Sequence, residues 1–415
     1  MINFDFGNAK DYTKLLKEIR RWAKSLRQLR PTVESTWREP VDWIVKDANI
    51  NGRPVKSLTI TLTPTGCSWA SGGGCTMCGE FEGSTKSSIV SAEFHIAQFA
   101  SAVSKYVTKY HPAWLRIYQE GNYTNSDEIE SSAQLTILKL AGLLGGVERI
   151  TIESLAKYIT PEIVAKLNEA RNPNVELEIG MGFEGENEIV RNICVNKGEN
   201  IDDFHKAVRL LKKMGIRSLA YVLLKPPFLS EGEAIEEAIS TIQVANEIGF
   251  DAVSLEPASI HRHTLLHALN LEGFYQLPWL WSVIKVAMSA RNIRDFRIGG
   301  VGFYPRPINV AHNRHPAGIS GCNEILWAAI KEYGKSRNFA IFEGLDCACK
   351  KDWEETCRMP STSLLTRVDQ QLKGLDLERY KRFISEEQLI CQPAVGYATA
   401  EAGGTQYLYT RPETM

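Results

Sequence analysis

Cys67, Cys75 and Cys78 lie in TLTPTGCSWASGGGCTMCGE, residues 61–80, and three thiols on one short loop are an unusual number. A disulfide takes two thiols, and a structural zinc takes four ligands. Three thiolates suit a [4Fe–4S] cluster with one iron left open to a substrate or cofactor. Four thiolates close such a cluster and suit electron transfer. Three cysteines with a distant fourth ligand would instead hold zinc, and the CxxC pair fits that reading by itself. Gly72, Gly73 and Gly74 let the loop wrap its contents without Cβ clashes. A second group, Cys347, Cys349 and Cys357 with Cys322 upstream, has the composition of a tetrahedral thiolate site. Zinc, a second iron–sulfur cluster and unligated thiols are the readings open to it, with His312 and His315 as alternative ligands. Cys194 and Cys391 read as packing residues.

The elements that must position these groups follow a clear rhythm. VKSLTITLTP is a strand that runs into the first cysteine loop. Strand-forming runs then alternate with helical ones through FDAVSLEPAS, giving six βα units. That number suits an α/β fold of TIM-like partial-barrel type, (β/α)6, better than a flat doubly wound sheet. The expected organisation is an N-terminal helical extension over 1–55, the barrel over 56–310 and a small metal-binding extension over 311–415. Residues 10–30 form an amphipathic helix whose basic face carries Lys14, Lys17, Arg20, Arg21, Lys24, Arg27 and Arg30. That face is either solvated or turned to RNA or a partner. Apolar residues make up 44% of the 415, enough for a large core. No apolar run approaches the roughly 18 residues of a membrane helix, and the start lacks the pattern of a signal peptide. A cytoplasmic protein is expected, in which nine cysteines argue for metal or redox chemistry rather than disulfides. The net charge of −1 gives no global attraction to nucleic acid.

In a βα barrel the working groups follow the strands. Gln119, Glu120, Gly121 and Asn122 end the second strand, either as a binding turn or as an ordinary polar one. Glu153 ends the third strand and Glu184 the fourth. Lys225 ends the fifth, either to meet an anion or to pair with Glu231. Glu256 ends the sixth and is a weaker candidate, and His261 and His263 are either ligands or acid/base groups near the mouth or, the reading preferred, surface or packing histidines.

A strand, a three-cysteine loop ending in CxxC and further βα units resemble the radical S-adenosylmethionine (SAM) superfamily. Its usual spacing is CxxxCxxC, whereas seven residues separate Cys67 from Cys75 here. The longer gap is similar to that of the archaeosine-forming branch (RaSEA), near the tRNA-modifying Elp3-type proteins. GFE at 182–184, LLKPPFLSE at 223–231 and LDCACKKDW at 345–353 support the same branch, and the likeness spans residues 35 to 355. The resemblance implies a [4Fe–4S] cluster on Cys67, Cys75 and Cys78, with SAM on the open iron. It implies SAM contacts from Met77, from 119–122, and from Glu153, Glu184 and Lys225. Where relatives often carry Arg-Pro after the third strand, this chain reads ESLAKYIT, which removes one family contact. An external electron donor would reduce the cluster, and the radical from SAM would take hydrogen from a substrate. In that family a partner enzyme attaches lysine to a cyano-deazaguanine base in tRNA, and the radical enzyme cleaves the adduct as a lyase. Two other readings remain: a divergent radical SAM enzyme for a small molecule or natural-product precursor, and a non-catalytic, zinc-stabilised RNA- or partner-binding protein.

Overall fold

Asn51 and Gly52 both adopt positive φ, 51° and 88°, as the two central residues of a type I′ hairpin turn must. They join β1 (Asp42–Ile50) to β2 (Arg53–Thr61) in an antiparallel pair. From β2 onward every pairing is parallel: β3 (Trp114–Tyr118), β4 (Arg149–Glu153), β5 (Glu176–Glu184), β6 (Arg217–Leu224), β7 (Ala252–Pro257) and β8 (Phe296–Ile298). The computed structural model describes residues 12–30, 38–79, 85, 90–299, 307–314 and 321–390. The helices are α1 (Tyr12–Gln28), the single turns α2 (Ser68–Ser71) and α4 (Thr108–Tyr110), and α3 (Ala92–Ala102). The crossovers and their extensions are α5 (Ser131–Gly142), α6 (Pro161–Ala170), α7 (Ile201–Lys213), α8 (Glu231–Ile248), α9 (Leu265–Leu271) and α10 (Leu280–Ser289). Then come α11 (Cys322–Ser336), α12 (Lys350–Arg358), α13 (Leu364–Lys373) and α14 (Leu377–Ile390). No described helix is long and apolar enough to cross a membrane.

The strand order is sequential, β1 to β8, without reversal. Parallel crossovers are right-handed as a rule, and the sheet curls into a half-barrel. The six expected βα units are present as β2 to β7. The hairpin partner β1 and the short β8 extend the sheet at its two edges. The chain forms two compact units, Met1–Leu375 and Asp376–Met415. Two expected boundaries shift accordingly. The 55/56 boundary falls inside β2, because β1 belongs to the sheet. Residues 311–375 belong to the same unit as the barrel. Within that unit α11 packs against β1, β2 and β8 and so covers both open edges. Asn49 Nδ2 donates to Lys335 O at 2.9 Å, and Tyr333 Oη donates to Phe296 O at 2.9 Å. An edge strand left bare would offer unpaired backbone groups, and α11 covers that liability.

The sheet segregates its side chains by period two. Leu58, Ile60, Leu115, Ile117, Ile150, Ile152, Val253 and Leu255 join the core with the helices. The alternate positions are polar: Thr59, Arg116, Tyr118, Thr151, Glu153, Glu178, Tyr221, Ser254 and Glu256. A closed TIM barrel fills its interior with Val, Ile and Leu. Here the inner face is polar.

Candidate functional site

After β2 the chain crosses the barrel mouth. Leu62 N still donates to Tyr118 O at 2.8 Å, and the cysteine loop begins five residues on. Gly73 and Gly74 hold φ of 121° and 62°, so the expected glycine requirement falls on these two. A Cβ on Gly74 would collide with Ala70 and with the Arg27 guanidinium. Side chains from elsewhere grip the loop by its backbone. Arg27 Nη2 donates to Cys75 O at 2.6 Å and to Cys78 O at 3.3 Å, and Asn196 Nδ2 donates to Gly74 O at 2.7 Å. Thr76 N donates to Val195 O at 2.9 Å. Arg20 Nε donates to Asn196 Oδ1 at 3.2 Å, and its guanidinium lies 5.6 Å from the Trp69 ring centroid. This corrects the reading of α1. Its basic face is not wholly solvated: Arg27 is buried, and with Arg20 it fastens the helix to the cysteine loop.

Asn122 Nδ2 stands 3.8 Å from Cys67 Sγ, so the turn after β3 meets the loop after β2. Glu128, which sequence reasoning missed, organises that meeting. Its carboxylate accepts from Ser68 N at 2.9 Å, Asn122 Nδ2 at 2.7 Å, Asn125 Nδ2 at 2.9 Å and Gln119 Nε2 at 3.4 Å. A side chain at Gly121 would strike this carboxylate. Gln119 and Glu120 are buried, and Glu120 takes φ of 54°. Met77 is half-buried between Cys75 and Cys78. Glu153 accepts Tyr123 N on its backbone oxygen at 2.9 Å.

Glu184 is the outlier of β5, with φ of 61° at a bulge. Its Oε1 accepts from Lys197 Nζ at 3.1 Å, and both side chains are about nine-tenths buried. Burial disfavours the Lys197 charge, but Glu184, Cys75 and Glu199 outweigh burial and hold the ammonium protonated. Burial pushes the Cys75 thiol up to about 12 against the pull of Lys197. Burial, then Glu128, raises Cys67. Lys225 also takes positive φ, 66°, and pairs with Glu231 at 2.6 Å, the second of its two expected roles. Positive φ in Glu120, Glu184 and Lys225 costs backbone strain of order 1 kcal/mol each, and such strain gathers at working sites. His261 and His263 are buried, as packing histidines are, and the His261 ring lies against Gly79. Cys194 is buried too, and its carbonyl receives the Thr76 hydroxyl. His315 and Cys391 lie outside the described residues.

The polar inner face of the sheet carries Tyr118 and Tyr221, whose hydroxyls are 3.1 Å apart, and Glu256. Ser254 Oγ donates to Glu256 Oε1 at 2.6 Å, and burial raises that carboxyl to about 7. Between about pH 4.5 and 7 the folded chain keeps this proton and the unfolded chain releases it, so stability falls as pH rises. Glu256→Gln removes the dependence. At pH 8 the variant gains at most about 3 kcal/mol over its standing at pH 5, less whatever chamber water relieves. Urea unfolding of both proteins at the two pH values reads the gap; a gap independent of pH would overturn this assignment.

The implied cluster can be tested against the loop. Among the described residues, only Cys322, Cys347 and Cys349 form a group whose ligand atoms all lie within 4.8 Å of one another. A cluster of four irons is larger than one ion, and three half-buried thiols with Lys197 beside Cys75 fit it. Gln119 Oε1, buried with no hydrogen-bond partner among the described residues, leaves an acceptor for a ligand beside the loop. In the second group Trp281 Nε1 donates to Cys347 Sγ at 3.2 Å. Cys357 stands apart from it, beside Glu231 and Lys225. His312 Nδ1 is engaged with Val310 O at 2.9 Å.

No family model matches the chain. The chain is 30% identical to the archaeosine synthase subunit beta of Methanosarcina acetivorans over 332 residues, 80% of this chain and 93% of that protein. The subunit of the same name from Thermococcus kodakarensis is 28% identical over 315 residues, 75% of this chain and 94% of its own length. Among solved structures, Elp3 of Methanocaldococcus infernus with its N-terminus deleted is 15% identical, with a TM-score of 0.43. That match covers 58% of this chain and 59% of the other.

Proposed function

The chain belongs to the archaeosine synthase subunit beta family, and from that premise we propose that it is a radical SAM enzyme of tRNA deazaguanine modification, acting as the lyase. Cys67, Cys75 and Cys78 hold a [4Fe–4S] cluster, and SAM binds beside it. When bound, this pair supplies an electron that cleaves SAM and a 5′-deoxyadenosyl radical that takes hydrogen from the substrate. The observation that carries the reading is the three-cysteine loop that follows β2 of a parallel half-barrel, with the 119–122 turn held against Cys67.

The chain's own residues have separable tasks. Arg27 and Asn196 fix the loop backbone, so the thiols are placed before anything binds. Lys197, kept charged by Glu184, offsets negative charge beside Cys75. Gln119, Glu120, Gly121 and Asn122, anchored on Glu128, offer polar groups to SAM, with Met77, Glu153 and Glu184 around them. Lys225 is committed to Glu231, so its part is to shape the mouth. The polar chamber receives the modified base, and the loop and α1 limit water above it. The relatives' name, subunit beta, supports a partner enzyme that supplies the modified tRNA, and an external donor reduces the cluster in a cytoplasmic setting.

Anaerobic reconstitution followed by dithionite and SAM tests the proposal. The protein should form 5′-deoxyadenosine, and more of it with tRNA that carries the lysine adduct. Zinc in the loop with SAM left intact would refute it.

A further inference from the structure

We infer that Cys322, Cys347 and Cys349 hold one structural zinc ion, and that this ion anchors the helix that closes the barrel seam. None of the three is in a disulfide. Cys322 Sγ and Cys349 Sγ are 3.5 Å apart, Cys347 Sγ and Cys349 Sγ are 2.7 Å apart, and all three sulfurs lie within 4.8 Å. Zinc–thiolate bonds of about 2.3 Å at tetrahedral angles place sulfurs roughly 3.8 Å apart, so the group is sized for a single ion. A cluster of four irons is larger than a single ion and holds its thiolates further apart than this. Thiolates alone form the described donor set, and soft sulfur donors select zinc over magnesium or calcium.

Two N–H groups are already aimed at the sulfurs. Trp281 Nε1 donates to Cys347 Sγ at 3.2 Å, and Asn313 Nδ2 donates to Cys322 Sγ at 3.2 Å. Such outer hydrogen bonds orient thiolate ligands and temper their charge. Cys322 and Cys349 are buried, which suits a structural ion and removes them from exchange with solvent.

The position of the group gives the ion its task. Cys322 is the first residue of α11, and Cys349 immediately precedes α12. Trp281 belongs to α10. The far end of α11 holds β1 through Asn49 and Lys335, and holds β8 through Tyr333 and Phe296. A second line of contacts leaves the junction: Trp353 Nε1 donates to Ser282 Oγ at 2.8 Å, Ser282 donates to Glu231, and Glu231 pairs with Lys225. One ion therefore ties together the seam helix, the helix before β8 and the support of a mouth residue.

Metal analysis of a Cys67→Ala/Cys75→Ala/Cys78→Ala background, purified without chelator, tests the site without cluster or SAM. This keeps its outcome separate from that of the radical reading. About one zinc per chain is expected, falling to on the order of a tenth when Cys347→Ser and Cys349→Ser are added, and persisting with Cys357→Ser instead. Where the serine variant fails to fold, chelation of the background protein provides the second measurement. Its melting temperature should fall by more than about 5 °C and return with zinc but not with magnesium. No bound zinc, iron in its place, zinc retained by the Cys347→Ser/Cys349→Ser protein, or a melting temperature indifferent to chelation would each overturn the assignment.

Discussion

Cys75→Ala is expected to hold no intact cluster after anaerobic reconstitution and to lose 5′-deoxyadenosine formation by at least roughly 1000-fold, because the hard chemistry belongs to the cofactor. The fold should persist, since Cys75 sits on a mouth loop whose backbone is held by Arg27 and Thr76. Lys197→Met provides the graded comparison. It leaves all three thiols in place but removes the cation beside Cys75 and strands Glu184 in a buried site. Changes of this kind around metal ligands typically cost 10–100-fold, so iron should be retained in large part while turnover falls by about that factor. Iron content and 5′-deoxyadenosine, measured on the same preparations, separate the two effects. Wild-type iron and turnover in Cys75→Ala would remove the loop from the chemistry altogether.

The hydrophobic rhythm between residues 56 and 257 made the six βα units legible, because buried strands and amphipathic helices each leave a period in the sequence. The loop cysteines were legible for the same reason: a motif means more when a strand leads into it. β1 was missed although Asn51-Gly52 is a strong hairpin signal, since DWIVKDANI carries charges at edge positions that mask its alternation. β8 has three residues and no usable period. Arg27, Lys197 and Glu128 were invisible for another reason. Arg27 reaches Cys75 across 48 positions, Glu128 reaches Ser68 across 60, and Lys197 acts on Cys75 from a distant part of the chain, and no local pattern announces that. The positive φ of Glu120, Glu184 and Lys225 is likewise a tertiary outcome, imposed where strands end at the mouth. Cys357 shows the opposite failure. Its spacing invited it into the second group, and the helical geometry of α12 carries it away, toward Glu231.

Glu178→Gln should destabilise the protein by about 3–5 kcal/mol, because it breaks a buried ion network by removing one partner. Glu178 is fully buried in β5 and accepts from both Arg297 Nη1 and Nη2 at 2.8 Å, and from Thr151 Oγ1 at 2.9 Å. Arg149, Arg116 and Arg297 all lie within 4.8 Å of the Trp114 ring centroid, so three guanidiniums share one aromatic platform. Burial alone would raise the Glu178 carboxyl, but Arg297 and its neighbours win and hold it far below the usual carboxylate range. The sign follows from that depression. The stabilisation is complete above the unfolded pKa of about 4.3 and is lost as pH falls through the folded value, so the gap to the glutamine variant narrows in acid. Glu176 still pairs with Arg149, and Asp295 with Arg217 and Arg297, so the loss falls mainly on Arg297, whose two bonds to the Glu178 carboxylate are gone. A compensated apolar replacement of Glu178 and Arg297 together should recover much of the loss, since well-packed apolar groups often match a buried pair. Urea unfolding at pH 7 of the wild type, the single and the double variant measures each step. A single-variant loss below about 1 kcal/mol would show that the network does little to hold β5 and β8 in place.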